Sequence, residues 1–231
     1  QGMHGAHNSA YELIDTTLNV CIDSDDYMPD DAVEKILKFW EENQSEEIAG
    51  IAALDAYESG EVIGTTFPKD LKTSTSFDMY YKHGVCGDKK FIYKTELTKK
   101  FPYPIFEGEK YVGLAYKYRK IDLTHKLALM NEVVCIVEYM EDGSSRNMLK
   151  QYINNPKGFI FYRKENMKNP NGNLKYKFKE CVHYVSSNFI IKNRKFIKES
   201  PLRLLTVLAT PAGFCLYKYI NKKQDRLKIS K

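Results

Sequence analysis

Asp23, Asp25 and Asp26 fall within one six-residue stretch, Cys21-Ile22-Asp23-Ser24-Asp25-Asp26. Leu18-Asn19-Val20 runs directly into it, so a short apolar run that reads as a buried strand ends in three carboxylates. Carboxylates crowded at a strand end repel one another unless positive charge sits between them. Hard cations such as Mg²⁺ and Mn²⁺ favour such oxygen ligands and often complete their shell with water and a substrate's phosphates. The stretch therefore points to a metal and phosphate site. Against this stands a solvated turn, with Pro29 close behind, that caps the next helix.

A second group of carboxylates lies at Glu107-Gly108-Glu109-Lys110. It follows Phe101-Pro102-Tyr103-Pro104, whose two prolines impose an extended loop. The loop delivers the glutamates to the start of a helix marked by Tyr111, Val112, Ala115, Tyr116 and Tyr118. A glutamate there either complements the helix dipole or acts as a base on a rigid element. His4 and His7 are three apart with no cysteine or further histidine nearby, and read as loop or helix-surface residues rather than metal ligands.

The elements that must position these groups follow from pattern. Gly2 to Ala10 reads as a loop that gives way to a helix near Asn8 or Ser9. Pro29-Asp30-Asp31 opens a helix to about Asn43, with Val33, Ile36, Leu37 and Trp40 as its apolar face. Ile48 to Leu54, Phe91 to Tyr93 and Val133 to Val137 are strand candidates, and Glu141-Asp142-Gly143-Ser144 is a turn. Strand, acidic loop, helix, strand is the grammar of an α/β sheet, whose ligands lie at the carboxyl ends of its strands. Beyond the turn, helices are expected around Met148–Ile153, Phe159–Tyr162 and Leu174–Phe189, and a last one behind Ser200-Pro201.

The net charge of +5 conceals a division. Residues 1–143 carry 15 Lys and Arg against 26 Asp and Glu, and residues 144–231 carry 20 against 4. A basic segment of this kind suits an anionic partner, nucleic acid or an anionic membrane leaflet. The five cysteines form no Cys-x-x-Cys pair, which suits a reducing compartment. No apolar run reaches the ~18 residues of a membrane span. With no signal peptide in view, the expected location is the cytoplasm, with peripheral attachment to the inner face of the membrane as an extension.

Gly5-Ala6-His7-Asn8, the strand, Asp23-Ser24-Asp25-Asp26 and the proline-led helix together resemble the central portion of family 2 glycosyltransferases. Gly87-Asp88, Phe101-Pro102 and Gly108-Glu109-Lys110 resemble the acceptor-side segments of bacterial members that build capsular, exopolysaccharide or other surface glycans. The resemblance covers roughly residues 2–140 and implies a GT-A-like mixed sheet flanked by helices over residues 1–143, followed by a basic, mainly helical region over 144–231. It implies that Asn8, Asp23 and Asp25 contact the nucleotide-sugar donor and that Asp25, with Asp23 and Asp26, holds Mn²⁺ or Mg²⁺. It further implies a base at Glu109, with Glu107 as the fallback, acting on a glycan or lipid-linked acceptor with inversion. Lys110 stands where the family has Asp. Nothing like the family's opening Val-Ile-Ile-Pro-like strand precedes Gln1, so the chain reads as incomplete at its N-terminus, and poor or no nucleotide-sugar binding is expected of these residues alone.

A haloacid-dehalogenase-type phosphatase also places Asp-x-Asp after a buried strand, but its motif continues to Thr or Val two residues on, where Tyr27 stands. A non-enzymatic reading makes the basic region primary. Tyr176-Lys177-Phe178-Lys179 would stack on single-stranded bases, although no recognised nucleic-acid motif accompanies it. Basic amphipathic helices suit an anionic membrane surface at least as well, and nucleic acid is the less favoured partner.

Overall fold

The computed structural model describes residues 2–138 and 148–229, with side chains described to residue 224; the turn expected at Glu141–Ser144 lies outside them. In chain order the elements are α1 (Gly2–Leu13), β1 (Leu18–Val20), α2 (Ala32–Asn43), β2 (Ile48–Ala56), β3 (Thr73–Ser74), α3 (Ser76–Tyr81), β4 (Lys89–Lys94), α4 (Thr95–Lys100), α5 (Ala115–Ile121) and β5 (Lys126–Ile136). Helices α6 (Met148–Asn154), α7 (Pro156–Met167), α8 (Leu174–Ile190), α9 (Phe196–Glu199) and α10 (Arg203–Ile229) follow. The chain divides into two compact units. One comprises Ser9–Pro102 and Lys117–Glu141; the other comprises Gln1–Asn8, Tyr103–Tyr116 and Asp142–Lys231.

The first is a sheet unit. Its five strands lie in the order β1-β4-β2-β5-β3, with β2 and β5 parallel and the other pairs antiparallel. All nine residues of β2 are buried, as expected of a central strand covered on both faces. Successive residues point to opposite faces and enter separate cores. Ala49, Ala52 and Leu54 join Phe67, Met79, Leu97 and Ile121, whereas Ile48, Ile51 and Ala53 join Ala32, Ile36 and Trp40 of α2. The sequence places α2 correctly but shifts its face: Ala32, Ile36 and Trp40 are buried, while Val33 and Leu37 are about half exposed.

The second unit is helical. Met167, Cys181, Tyr184, Val185, Phe196 and Ala209 form its core. Within it Arg163 of α7 donates to both carboxylate oxygens of Glu180 on α8, at 3.1 and 2.9 Å, and Asn166 donates to the same carboxylate at 3.0 Å. The buried carboxylate is thus paired and hydrogen-bonded, the condition under which such burial is tolerated. Two expectations are corrected on this unit. The chain from Gly2 is helical rather than a loop, and His4 is fully buried. Residues 107–114 form no helix; the helix near them begins at Ala115, because Gly108, at φ +78°, takes a turn that right-handed helix excludes.

Candidate active site

One edge of the sheet gathers the charged side chains. The register sets Ala53 opposite Lys90 and Leu54 opposite Lys89, and pairs Asp55 with Cys135. The carboxyl ends of β2 and β5 therefore meet the start of β4. Strand β1 runs antiparallel to β4 with Val20 opposite Ile92, so the acidic stretch leaves β1 at that same edge. It turns at once, Asp26 donating its amide to the Asp23 carbonyl at 3.0 Å. Tyr27 then bridges Ile136 at the end of β5 with reciprocal bonds of 3.0 and 2.7 Å. Carboxyl ends of strands are where open α/β sheets bind ligands.

Asp26 and Asp55 are drawn inward onto one lysine. The Lys90 ammonium lies 3.4 Å from Asp26 and 4.0 Å from Asp55, and all three side chains are largely buried. Burial alone would lower the Lys90 pKa, but Asp55, Cys135 and Asp26 outweigh it and hold the ammonium above its usual range. Burial pushes the Asp55 carboxyl up to about 6 against the pull of Lys90, and pushes the Cys135 thiol up to about 11. Alternation along β4 sends the neighbouring Lys89 elsewhere. Its ammonium donates to the carbonyls of Ile63, Cys86 and Asp88 at 2.9 to 3.0 Å. There the backbones at Gly64 and Gly87 touch so closely that a Cβ on Gly64 would lie 2.2 Å from the Cys86 carbonyl oxygen. Lys89 and the two glycines fix the loop carrying Asp88.

Asp23 and Asp25, by contrast, are exposed. Neither caps α2: its N-cap residue is Asp31, which makes no side-chain cap bond. Among the described residues no three His, Cys, Asp or Glu side chains are grouped so as to hold a metal ion, and Asp26 is committed to Lys90. The fit to a divalent cation thus rests on the pair Asp23 and Asp25. Two exposed hard oxygen donors suit Mg²⁺ or Mn²⁺, which commonly take one or two protein carboxylates and complete the shell with water and substrate phosphates.

The other sequence-derived site residues belong to the helical unit. Asn8 uses its whole amide on the backbone of Tyr103, donating to its carbonyl and accepting from its amide, both at 2.8 Å. Glu107 is exposed. Glu109 is buried, and its two carboxylate oxygens accept from the amides of Lys157 and Gly158 at 2.9 and 2.7 Å. These amides open α7 and have no partner within the helix, so Glu109 caps α7 rather than starting a helix of its own. The Lys110 amide donates to Asn155, the N-cap residue of α7, at 2.7 Å and seats the same loop.

Asp55, Lys90 and Cys135 were not picked out from sequence. For Asp55 a signal existed, since it ends the apolar run of β2 as Asp23 follows that of β1.

A mixed sheet with helices on both faces, charged groups at its carboxyl edge and a helical C-terminal region defines a GT-A-like fold. Among solved structures the chain is similar to that of S. aureus TarS, residues 1–349, determined in complex with UDP-GlcNAc. The identity is 15%, the TM-score 0.55, and the match covers 97% of this chain and 72% of that one. No protein-family profile matches the sequence, and no curated protein matches it.

Proposed function

We propose that the protein is a glycosyltransferase that moves a sugar from a nucleoside diphosphate, UDP being the favoured carrier, to a hydroxyl of a glycan or lipid-linked acceptor. The observation that carries this reading is the exposure of Asp23 and Asp25 at the carboxyl edge of a GT-A-like sheet, beside the buried Asp26, Lys90 and Asp55. The fold neighbour's bound UDP-GlcNAc is consistent with a UDP-linked donor.

In this reading Asp25 and Asp23 would hold Mn²⁺ or Mg²⁺ beside the donor, Asp23 also being available to the donor's ribose. A divalent cation bound there would supply charge neutralisation for the departing diphosphate. Asp26, locked to Lys90, positions the Asp25 backbone rather than supplying a third ligand. Asn8 acts through Tyr103, whose loop it pins. The acceptor hydroxyl's oxygen bonds to the anomeric carbon as the bond from that carbon to the phosphate oxygen breaks, and its proton passes to a general base, the role that the family resemblance assigns to Glu109. A single displacement of this kind inverts the anomeric centre.

Release of UDP from a panel of UDP-sugars, with water as the default acceptor, tests the reading. Glu109→Gln keeps the side chain's shape and one acceptor oxygen. We expect its kcat to fall about 100-fold or more, while urea unfolding records a loss of about 1 to 2 kcal/mol from the weakened cap of α7. A rate that falls only with the fraction unfolded would reduce Glu109 to a capping residue.

A further inference from the structure

Helix α10 has two faces of opposite character. Thr206, Ala209, Gly213 and Ile220 are buried along one side. Leu204, Val207, Leu208, Ala212, Cys215 and Tyr219 recur at helical spacing along the other and are exposed, Leu204 at 84%, Leu208 at 69% and Tyr219 at 57%. The exposed stripe runs for about four turns, roughly 22 Å at 1.5 Å per residue. No charged residue lies between Arg203 and Lys218. Both ends are basic, with Lys195, Lys198 and Arg203 before the stripe and Lys218, Lys222 and Lys223 after it. Residues 190–224 hold eight Lys and Arg against one acid, Glu199. Among the described residues no helix is long and apolar enough to cross a membrane.

We propose that this face of α10 lies in the surface of an anionic bilayer, its apolar stripe at the acyl boundary and the cations at its ends among lipid phosphates. An exposed apolar stripe alone would suit a protein partner equally. The cations at both ends, with a single acid in the segment, complement a broad negative surface instead. The proposal does not depend on the donor site, and the measurements that test the two are separate.

The full chain is floated with vesicles of phosphatidylcholine alone or of phosphatidylcholine with phosphatidylglycerol, and compared with the Leu204→Ser, Leu208→Ser double variant and with the Lys222→Glu, Lys223→Glu double variant. These side chains are exposed, so the thermal melt should not change. Wild type should float only with phosphatidylglycerol present and be released by salt. The serine pair should weaken partitioning about tenfold or more, and the glutamate pair should weaken it as well. After Cys21→Ser and Cys86→Ser, an environment-sensitive dye on Cys215 should shift to the blue with the anionic vesicles. Failure of wild type to bind them, binding unchanged by the serine pair, or an unshifted dye would overturn the proposal. A dimer seen by sedimentation that the serine pair dissolves, without vesicle binding, would assign the stripe to a second copy and likewise overturn it.

Discussion

Lys90 stands between two carboxylates that the fold has removed from water, and its energetics follow from that position. Asp55 has its carboxyl pKa raised from 3.8 to about 6, chiefly by burial. The native state therefore holds this proton at a pH where the unfolded chain has lost it. Protonated Asp55 favours the fold below about pH 4, and that contribution is lost as the pH rises through about 6, a change of about 3 kcal/mol at 1.36 kcal/mol per pH unit. Comparing wild type with Asp55→Asn in urea at pH 4 and pH 7, we expect the variant to gain relative to wild type by up to that amount at the higher pH. Lys90→Met should show the complement: about 3 kcal/mol lost at pH 7, where two buried carboxylates lose their cation, and partial recovery near pH 4. Stability curves that stay parallel across this range would remove the network from the account. Asp23 and Asp25 were legible in sequence because they follow a strand directly. Lys90 was not, since its partnership with Asp26 and Asp55 arises from the register of three strands.

At the scale of elements, the packing of α10 on α8 depends on a missing side chain. A Cβ on Gly213 would lie 2.5 Å from Cβ of Val185 and 2.9 Å from the Val182 carbonyl oxygen, both on α8. Gly213→Ala gains helix propensity but forces the two helices apart. Overpacking of this kind costs about 1 to 3 kcal/mol, so we expect a net loss, measured by thermal melting; a stabilised variant would contradict the observed approach. Helix and strand positions were mostly readable from period and caps, as for α2, β2, β4 and α8. Faces were less so: Leu174 and Phe178 keep the apolar period of α8 yet are 71% and 36% exposed, while Tyr176 and Tyr184 are buried. Sequence period identifies an amphipathic helix, but its neighbours decide which edge of the stripe is covered. Glu109 illustrates the same limit, because the helix that its carboxylate serves begins only at Pro156.

Across the whole molecule, the helical unit draws on three separate segments of chain, Gln1–Asn8, Tyr103–Tyr116 and Asp142–Lys231. Composition could not reveal that Gln1–Asn8 and Tyr103–Tyr116 also belong to that unit, because their membership rests on contacts such as Asn8 with Tyr103 and Glu109 with α7. The α/β class was visible in the alternation of strands and helices, and the mixed sheet with its helical C-terminal region agrees with it. The strand order was not visible, since β4 inserts between β1 and β2 through pairings distant in sequence. The proposed function requires that the acidic edge hold a nucleoside diphosphate through a divalent cation. Calorimetric titration of UDP into the full-length protein, with and without Mn²⁺, tests it most directly in wild type and Asp25→Ala. We expect binding that requires Mn²⁺ and weakens more than about tenfold in the variant, a loss above ~1.4 kcal/mol, with the melting temperature unchanged. UDP binding that is indifferent to Mn²⁺ and to Asp25, or its absence from the wild type, would contradict it.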